Sequence, residues 1–435
     1  MNALTKLIQE DMKPALGVTE PGAIAYACAR AKSYVKGAVK HVDLTLNSGM
    51  YKNAFTCGIP HSPYVGTRYA AALGIVAGRW EKELESLEDV THEDILAACQ
   101  LIDEGKIQVH LGDIDSQIDI RAIVTTEQDE CRLWIHGTHT HVIEIQLNGE
   151  IIYSDSEAKQ ALEEGSSVKN LETLEIPEIH KYTMEEIFTY CQQVPLEELL
   201  FIEEAYRVNL QLFEEGMKSE RTTFLKSLLK MNGGVVISDQ ELATAQLLCN
   251  GTIEARVIGL DKPAMSITGS GAHGIICTMP LYAMYKVNGY SKEKLLRATA
   301  LSYLVTMYIK EYSGRLSAFC GCGIAAGTGM ACACTYLKGG DLEQMHRTVN
   351  NMASSITGMI CDGGNQGCTM KGVAAVDTAF RSVELAMAGS YVENQHGING
   401  SSMEETFQYM GQIASPGMIG TEKVIVEIFQ EKQRK

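Results

Sequence analysis

Arg132-Leu-Trp-Ile-His-Gly-Thr-His-Thr-His-Val-Ile-Glu-Ile-Gln-Leu147, then Asn148-Gly149, then Glu150-Ile-Ile-Tyr153, is the stretch on which the fold of the first half turns. Apolar and polar residues alternate through it, the period of a strand with one buried face. Asn-Gly tolerates the positive φ of a two-residue hairpin turn. The stretch predicts strands over Arg132–Leu147 and Glu150–Tyr153 with a tight turn between them. Val42–Leu46 and Ile118–Thr125 alternate in the same way, so an antiparallel sheet is expected.

Helix signals flank these strands. Thr19-Glu20 with Pro21 opens a helix through about Val35, Pro standing near its first position. Thr91-His92-Glu93-Asp94 and Thr183-Met184-Glu185-Glu186 are capping-box starts. The first of these helices ends near Gly105; the second is broken by Pro195, and Leu196–Met217 resumes at helical spacing. Farther on, Asp239–Asn250, Lys292–Tyr312, Leu342–Thr357 and Val373–Ala388 read as helices between Gly-rich turns. The expectation is an α+β fold: an α+β domain over 1–180, a helical bridge over 181–235, and a helical domain rich in Gly and Ala over 236–435.

Hydrophobic residues make up 45% of the 435 and charged residues 21%, which excludes a disordered chain or a fibre. Lys and Arg number 37 against 54 Asp and Glu, a net charge of −17. Such a chain is not built for nucleic acid or for an anionic membrane surface. Thirteen cysteines are an odd number, and Met1–Glu10 carries no apolar signal segment. A reducing cytoplasm is expected, with most cysteines serving as small buried residues. Leu316–Leu337 lacks charge and is long enough to span a bilayer, yet it is made of Gly, Ala, Ser, Thr and Cys. It reads as a closely packed core segment.

Four segments carry groups with chemistry. Cys320-Gly321-Cys322 and Cys361-Asp362-Gly363-Gly364-Asn365-Gln366-Gly367-Cys368 set thiols beside Gly turns. Thiolates are soft ligands for iron–sulfur or zinc, and an open position would let one metal bind substrate. The same residues also read as buried small side chains. Ser266-Ile-Thr-Gly269-Ser270-Gly271-Ala272-His273-Gly274 is a loop whose amides suit a carboxylate or phosphate; it lacks the Gly-Lys-Ser/Thr of a P-loop and also reads as a plain turn. His136-Gly137-Thr138-His139-Thr140-His141 puts His139 and His141 on one side of a strand, as metal ligands or as ordinary strand histidines. Thr19-Glu20, at a helix start, would suit an anion or serve as simple capping.

Together these segments resemble the L-cysteine desulfidase family, an uncharacterised protein family related through its C-terminal half to the α part of iron–sulfur L-serine dehydratases. The resemblance runs over nearly the whole chain: Lys13–Pro21, Lys52-Asn53, Gly137–Thr140, Ser266–Pro280, Arg315–Cys320 and Gly358–Lys371. The phrase Gly358-Met-Ile-Cys-Asp-Gly363 followed by Cys368-Thr-Met-Lys371 is its most specific part. It implies a [4Fe-4S] cluster on Cys320, Cys361 and Cys368, with Cys322 as the alternative to Cys320. It also implies α,β-elimination of a small β-substituted amino acid, either L-cysteine to pyruvate, ammonia and sulfide or L-serine to pyruvate and ammonia.

The chemistry needs the α-carboxylate held, for which Thr19, Glu20, Gly269, Ser270 and Gly271 are the candidates, with Asn53 as a further substrate-binding residue. It needs a base, for which His139, His273 and Lys371 are candidates by type. No segment resembles a pyridoxal phosphate site. The chain departs from the family in having Val18 where Cys is usual and Ala272 where Asn is usual. That leaves open a different β-substituted substrate of the same fold, or a non-catalytic iron–sulfur redox sensor. A homodimer is compatible with the reading, and the partner expected is a small amino acid.

Overall fold

A computed structural model of the chain describes residues 1–163, 176–314 and 316–434; Arg315, in one of the motif segments, lies outside the described residues. The chain begins with helix α1 (Ala3–Asp11), strand β1 (Lys13–Leu16) and helix α2 (Thr19–Ser33). Strand β2 (Val39–Leu46) and helices α3 (Ser48–Ala54), α4 (Thr67–Ala77) and α5 (His92–Asp103) follow. The Thr91 capping box forms as its spacing predicts. Then come β3 (Ile107–Leu111), β4 (Asp119–Thr126), β5 (Glu130–His136), β6 (Val142–Leu147) and β7 (Glu150–Ser154).

Strands β2 to β7 make one six-stranded sheet in the order β3-β2-β4-β5-β6-β7. Four of its pairings are antiparallel, with Asn148-Gly149 turning β6 into β7. The edge pair β2–β3 is parallel, because α3, α4 and α5 intervene and return the chain to the same end of the sheet. Ile120, Ala122 and Val124 of β4 alternate into the core, against which α2 packs. Arg132–Leu147 is two strands, not one: Gly137 takes φ 78° and the chain turns over residues 137–141 before β6 begins.

The remaining helices are α6 (Ser156–Glu163), α7 (Met184–Gln193), α8 (Glu203–Lys218), α9 (Phe224–Met231) and α10 (Glu241–Val257). Strand β8 (Pro263–Ser266) precedes α11 (Gly271–Asn288) and α12 (Lys292–Ser313). The chain closes with α13 (Gly327–Leu337), α14 (Leu342–Ile356), α15 (Gly367–Met387), α16 (Met403–Gln412) and α17 (Ile419–Arg434). The residues after Pro195 form two short 3₁₀ turns before α8 becomes regular at Glu203. α10 runs past Asn250 to Val257, and α15 starts at Gly367, one residue before Cys368.

α10, α11 and α12 are buried nearly all round, as central helices must be. Small residues let their neighbours approach: a Cβ on Gly372 of α15 would overlap Asn250 of α10. The uncharged stretch 316–337 is core, with α13 buried over most of its length. Among the described residues no helix is long and apolar enough to cross a membrane. The two halves are stitched together by β1, which pairs antiparallel with β8 from Lys13↔Ser266 to Leu16↔Pro263.

Candidate active site

Two backbone hydrogen bonds zip the cysteine segments together. Cys320 N–H donates to Met359 O at 3.0 Å and Cys361 N–H donates to Ala318 O at 2.6 Å, a bridge centred on Phe319 and Ile360. Gly363 then turns the chain at φ 100°, and Cys368 enters the first turn of α15 with its thiol donating to Gly363 O at 3.4 Å. Gly363 is required here, since a Cβ would overlap the carbonyl oxygen of Lys52. The three sulfurs feel one another's charge. A hydrogen bond from Cys322 pulls the Cys320 thiol down to about 7 against its burial, helped by the Gly323 N–H 3.4 Å away. Burial pushes Cys361 up, and Cys368 up to about 11.

Lys371, one turn beyond Cys368, is ion-paired with Asp362. Burial opposes its ammonium, but Asp362 and the sulfurs of Cys368, Cys361 and Cys320 outweigh it and hold its pKa above the ordinary range. Of the three base candidates, Lys371 is thus held as a positive charge among the thiols.

The N-terminal segments meet the same loop. Asn53, at the end of α3, donates from Nδ2 to Glu20 Oε1 at 2.8 Å, and its Oδ1 lies 3.9 Å from Cys361 Sγ. Gly364 N–H donates to Asn53 O at 3.2 Å. Glu20 is buried at the first turn of α2, where Thr19 Oγ1 donates to its Oε2 at 3.1 Å. The Glu20 carboxylate thus sits at the electropositive helix start, held by Thr19 and Asn53. His139 Nε2 lies 4.0 Å from Glu20 Oε1.

His139 and His141 are not a pair of strand ligands. Both lie in the turn between β5 and β6, and His141 goes instead to Asp155 at 2.9 Å, while His136 goes to Asp119 at 3.0 Å. The period-two reading failed because Gly137 ends the strand.

His273 arrives from the opposite side, on the first turn of α11. A Cβ on Gly321 would stand 2.6 Å from His273 Nε2, so the imidazole lies against the backbone between Cys320 and Cys322. Thr268 Oγ1 donates to Ile267 O at 2.7 Å and lies 2.6 Å from His273 Nδ1. If the hydroxyl proton goes to Ile267 O, Nδ1 is the donor and Nε2 carries its lone pair toward Gly321. Burial, then the positive charges of Lys310 and Arg256, push the His273 pKa well below its ordinary value, so the ring is neutral. Gly269 adopts φ 73° in this loop, and Ser270 is the N-cap of α11.

Lys52 and Asp362 stand in the motif segments without an assigned role, and Arg256 stands in none of them. Lys52 is fully buried, with Nζ donating to Glu422 Oε2 at 2.7 Å and to Ser317 O at 3.1 Å. Asp362 and Arg256 also border the site. Outside it, Cys332 illustrates the remaining buried cysteines, its thiol pushed up to about 12 by burial alone apart from a backbone bond. Asp362, Asn365 and Gln366 of the 361–368 loop line a cleft of about 530 Å³ together with Phe55, Arg221 and Phe429.

Among the described residues no three His, Cys, Asp or Glu side chains gather around a single metal ion. A cubane cluster makes a different demand, one thiolate per iron, and so takes sulfurs spaced around a larger object. Cys320, Cys361 and Cys368 have the soft donor chemistry for it, with Lys371 as counter-charge and backbone N–H groups nearby. The residues present fit the group.

The chain matches the family described as "Serine dehydratase alpha chain" over residues 81–427, a span that contains all three cysteines and His273. It is also similar along its length to relatives called UPF0597 proteins. One from Clostridium botulinum (strain Langeland) is 36% identical over 433 residues, covering 100% of this chain and 99% of the relative. One from Clostridium tetani is 33% identical over 429 residues, and one from Caldanaerobacter subterraneus subsp. tengcongensis 33% over 430, each covering 99% of this chain and 98% of the relative. These relatives also cover Val18, Glu20 and Asn53, which precede the matched family span. With the cysteine loops, the Gly-rich loop and most of the sheet inside that span, the chain belongs to the serine dehydratase alpha chain family.

Proposed function

We propose that the protein is an iron–sulfur-dependent lyase that removes the β-substituent of a small amino acid, with L-cysteine and L-serine as the first substrates to test. The observation that carries this reading is the meeting of three thiols, a neutral imidazole and the Glu20–Asn53 pair around one loop.

Cys320, Cys361 and Cys368 are assigned as the thiolates that hold a [4Fe-4S] cluster. When bound, the cluster supplies a Lewis-acidic iron for the departing sulfide or hydroxide. The chain's own residues do the rest. Glu20, buried and already oriented by Thr19 and Asn53, is suited to the substrate ammonium and not to its carboxylate. His273 Nε2, unprotonated and held by Thr268, is suited to accept the α-proton. His139, 4.0 Å from Glu20, is suited to pass protons on that side of the site. Lys371 offsets negative charge gathered on the thiolates. Loss of the α-proton and the β-substituent leaves an enamine, which tautomerises and takes up water to give a keto acid and ammonia. The cleft beside Asn365 and Gln366 is large enough to admit such a substrate.

The test is anaerobic reconstitution followed by assay of keto acid release from a panel of small amino acids. Pyruvate and sulfide from L-cysteine, or pyruvate from L-serine, is the expected result. A protein that binds the cluster and turns over none of the panel would overturn the reading.

A further inference from the structure

One buried cation has no counter-ion among the described residues. Arg256, in the last turn of α10, is 4% exposed, and its buried Nε makes no hydrogen bond. Among the described residues it has no ion-pair partner. Glu254, two residues earlier and fully buried, shows what a satisfied charge looks like here: its carboxylate accepts the N–H groups of Thr223, Phe224 and Leu225. A guanidinium cannot escape burial by losing its proton, and leaving it unpaired is strongly unfavourable. A guanidinium so placed is a ready partner for an anion.

The surroundings define the visitor. The guanidinium lies against Gly271, the first residue of α11, where a Cβ would stand 2.7 Å from Arg256 Nε. α11 is an 18-residue helix, and the Ser270 side chain does not cap it. Its first-turn amides and the positive end of its dipole therefore face the same position. Arg256 also bears electrostatically on His273 and on Cys57, and Cys57 feels both Glu20 and Cys368. The spot belongs to the cysteine site and not to a separate part of the core.

We propose that Arg256 and the first turn of α11 form a carboxylate subsite that takes the α-carboxylate of a small amino acid. The identity of the ligand rests on the function proposed above. A planar guanidinium can pair with both carboxylate oxygens, and helix amides can take the remaining lone pairs. Gly271 is what lets the guanidinium reach the helix end, and Ala272 keeps the next position short. The subsite gives selectivity, because a decarboxylated amine would leave the buried cation unpaired.

Thermal melting of the full chain, with and without reconstitution, tests this using L-serine, ethanolamine and inorganic phosphate as probes. Wild type should be stabilised by L-serine and not by ethanolamine. Without ligand, Arg256→Met should melt at or above wild type, since it removes an uncompensated charge. Its apparent affinity for L-serine should fall by about tenfold or more. Should that variant not fold, Arg256→Lys and Gly271→Ala carry the test, each expected to weaken the L-serine response. A wild type indifferent to L-serine, equal responses to L-serine and ethanolamine, or an Arg256→Met variant that melts lower with an unchanged L-serine response would each overturn the subsite. Stabilisation by phosphate alone would overturn the carboxylate assignment in favour of an inorganic anion. If the L-serine response depends on Arg256 yet the reconstituted protein releases no keto acid, the subsite stands and the lyase reading falls. If keto acid forms with the same KM in wild type and Arg256→Lys, the lyase reading stands and the subsite falls.

Discussion

Val18 and Gly364 are in contact so close that a Cβ on Gly364 would stand 2.8 Å from Val18 Cγ1. Val18 is 3% exposed and is the N-cap of α2 without making a capping bond. Its methyl groups thus lie under the cysteine loop, one residue from Thr19 and Glu20. A thiol at this position would face the same loop. The expected effect of Val18→Cys is a change in the ratio of pyruvate formed from L-cysteine to that formed from L-serine, measured on reconstituted protein. An unchanged ratio would remove residue 18 from substrate choice.

Cys361→Ala is expected to abolish the visible absorbance gained on anaerobic reconstitution while leaving the far-ultraviolet circular dichroism unchanged. The bridge at Phe319 and Ile360 is made by backbone atoms, so the loop keeps its path without the thiol. Cys332→Ala, in the core of α13, should retain the absorbance. Retained absorbance in Cys361→Ala would show that another residue serves as ligand.

The Lys52–Glu422 pair, with side chains 0% and 3% exposed, is expected to behave as a buried ion pair. Lys52→Met alone leaves Glu422 buried and unpaired and should cost about 3–5 kcal/mol. Lys52→Met with Glu422→Leu should recover most of that loss. Urea denaturation of the three proteins checks this, and a double variant as unstable as the single one would refute it.

Gly321→Ala is expected to push the His273 ring from its place, because the new methyl would stand 2.6 Å from Nε2 and 3.3 Å from Lys310 Nζ. Overpacking of this kind costs about 1–3 kcal/mol of stability. The larger effect should be on kcat, a drop of about tenfold or more if His273 takes the α-proton. Steady-state assay with the cluster absorbance as a control separates the two.

Local chemistry in the chain was readable where one short segment determines its own shape. Asn148-Gly149 turns β6 into β7, and Thr91 and Thr183 close the capping boxes their spacing foretells. Gly137 was a harder case: alternation continues on both sides of it, so only the positive φ in the structure shows that β5 and β6 are separate. The parallel β2–β3 pair, the β1–β8 ribbon and the Lys52–Glu422 pair join segments far apart in sequence, and no local pattern records such a partner. The same holds for Arg256. In sequence it is one arginine at the end of a helix, and only its burial beside Gly271 sets it apart.

The Lys52–Glu422 pair also has a consequence for how the protein is made. Glu422 lies 370 residues downstream of Lys52. At about 5–20 residues per second, translation takes roughly 20–70 s to span that distance. Until Glu422 is made the Lys52 ammonium lacks its counter-charge and must stay hydrated, so the helix that carries Asn53 toward Cys361 is not yet locked in place. The reaction centre therefore cannot close until Glu422 has been made, which sets its completion late in the order of synthesis.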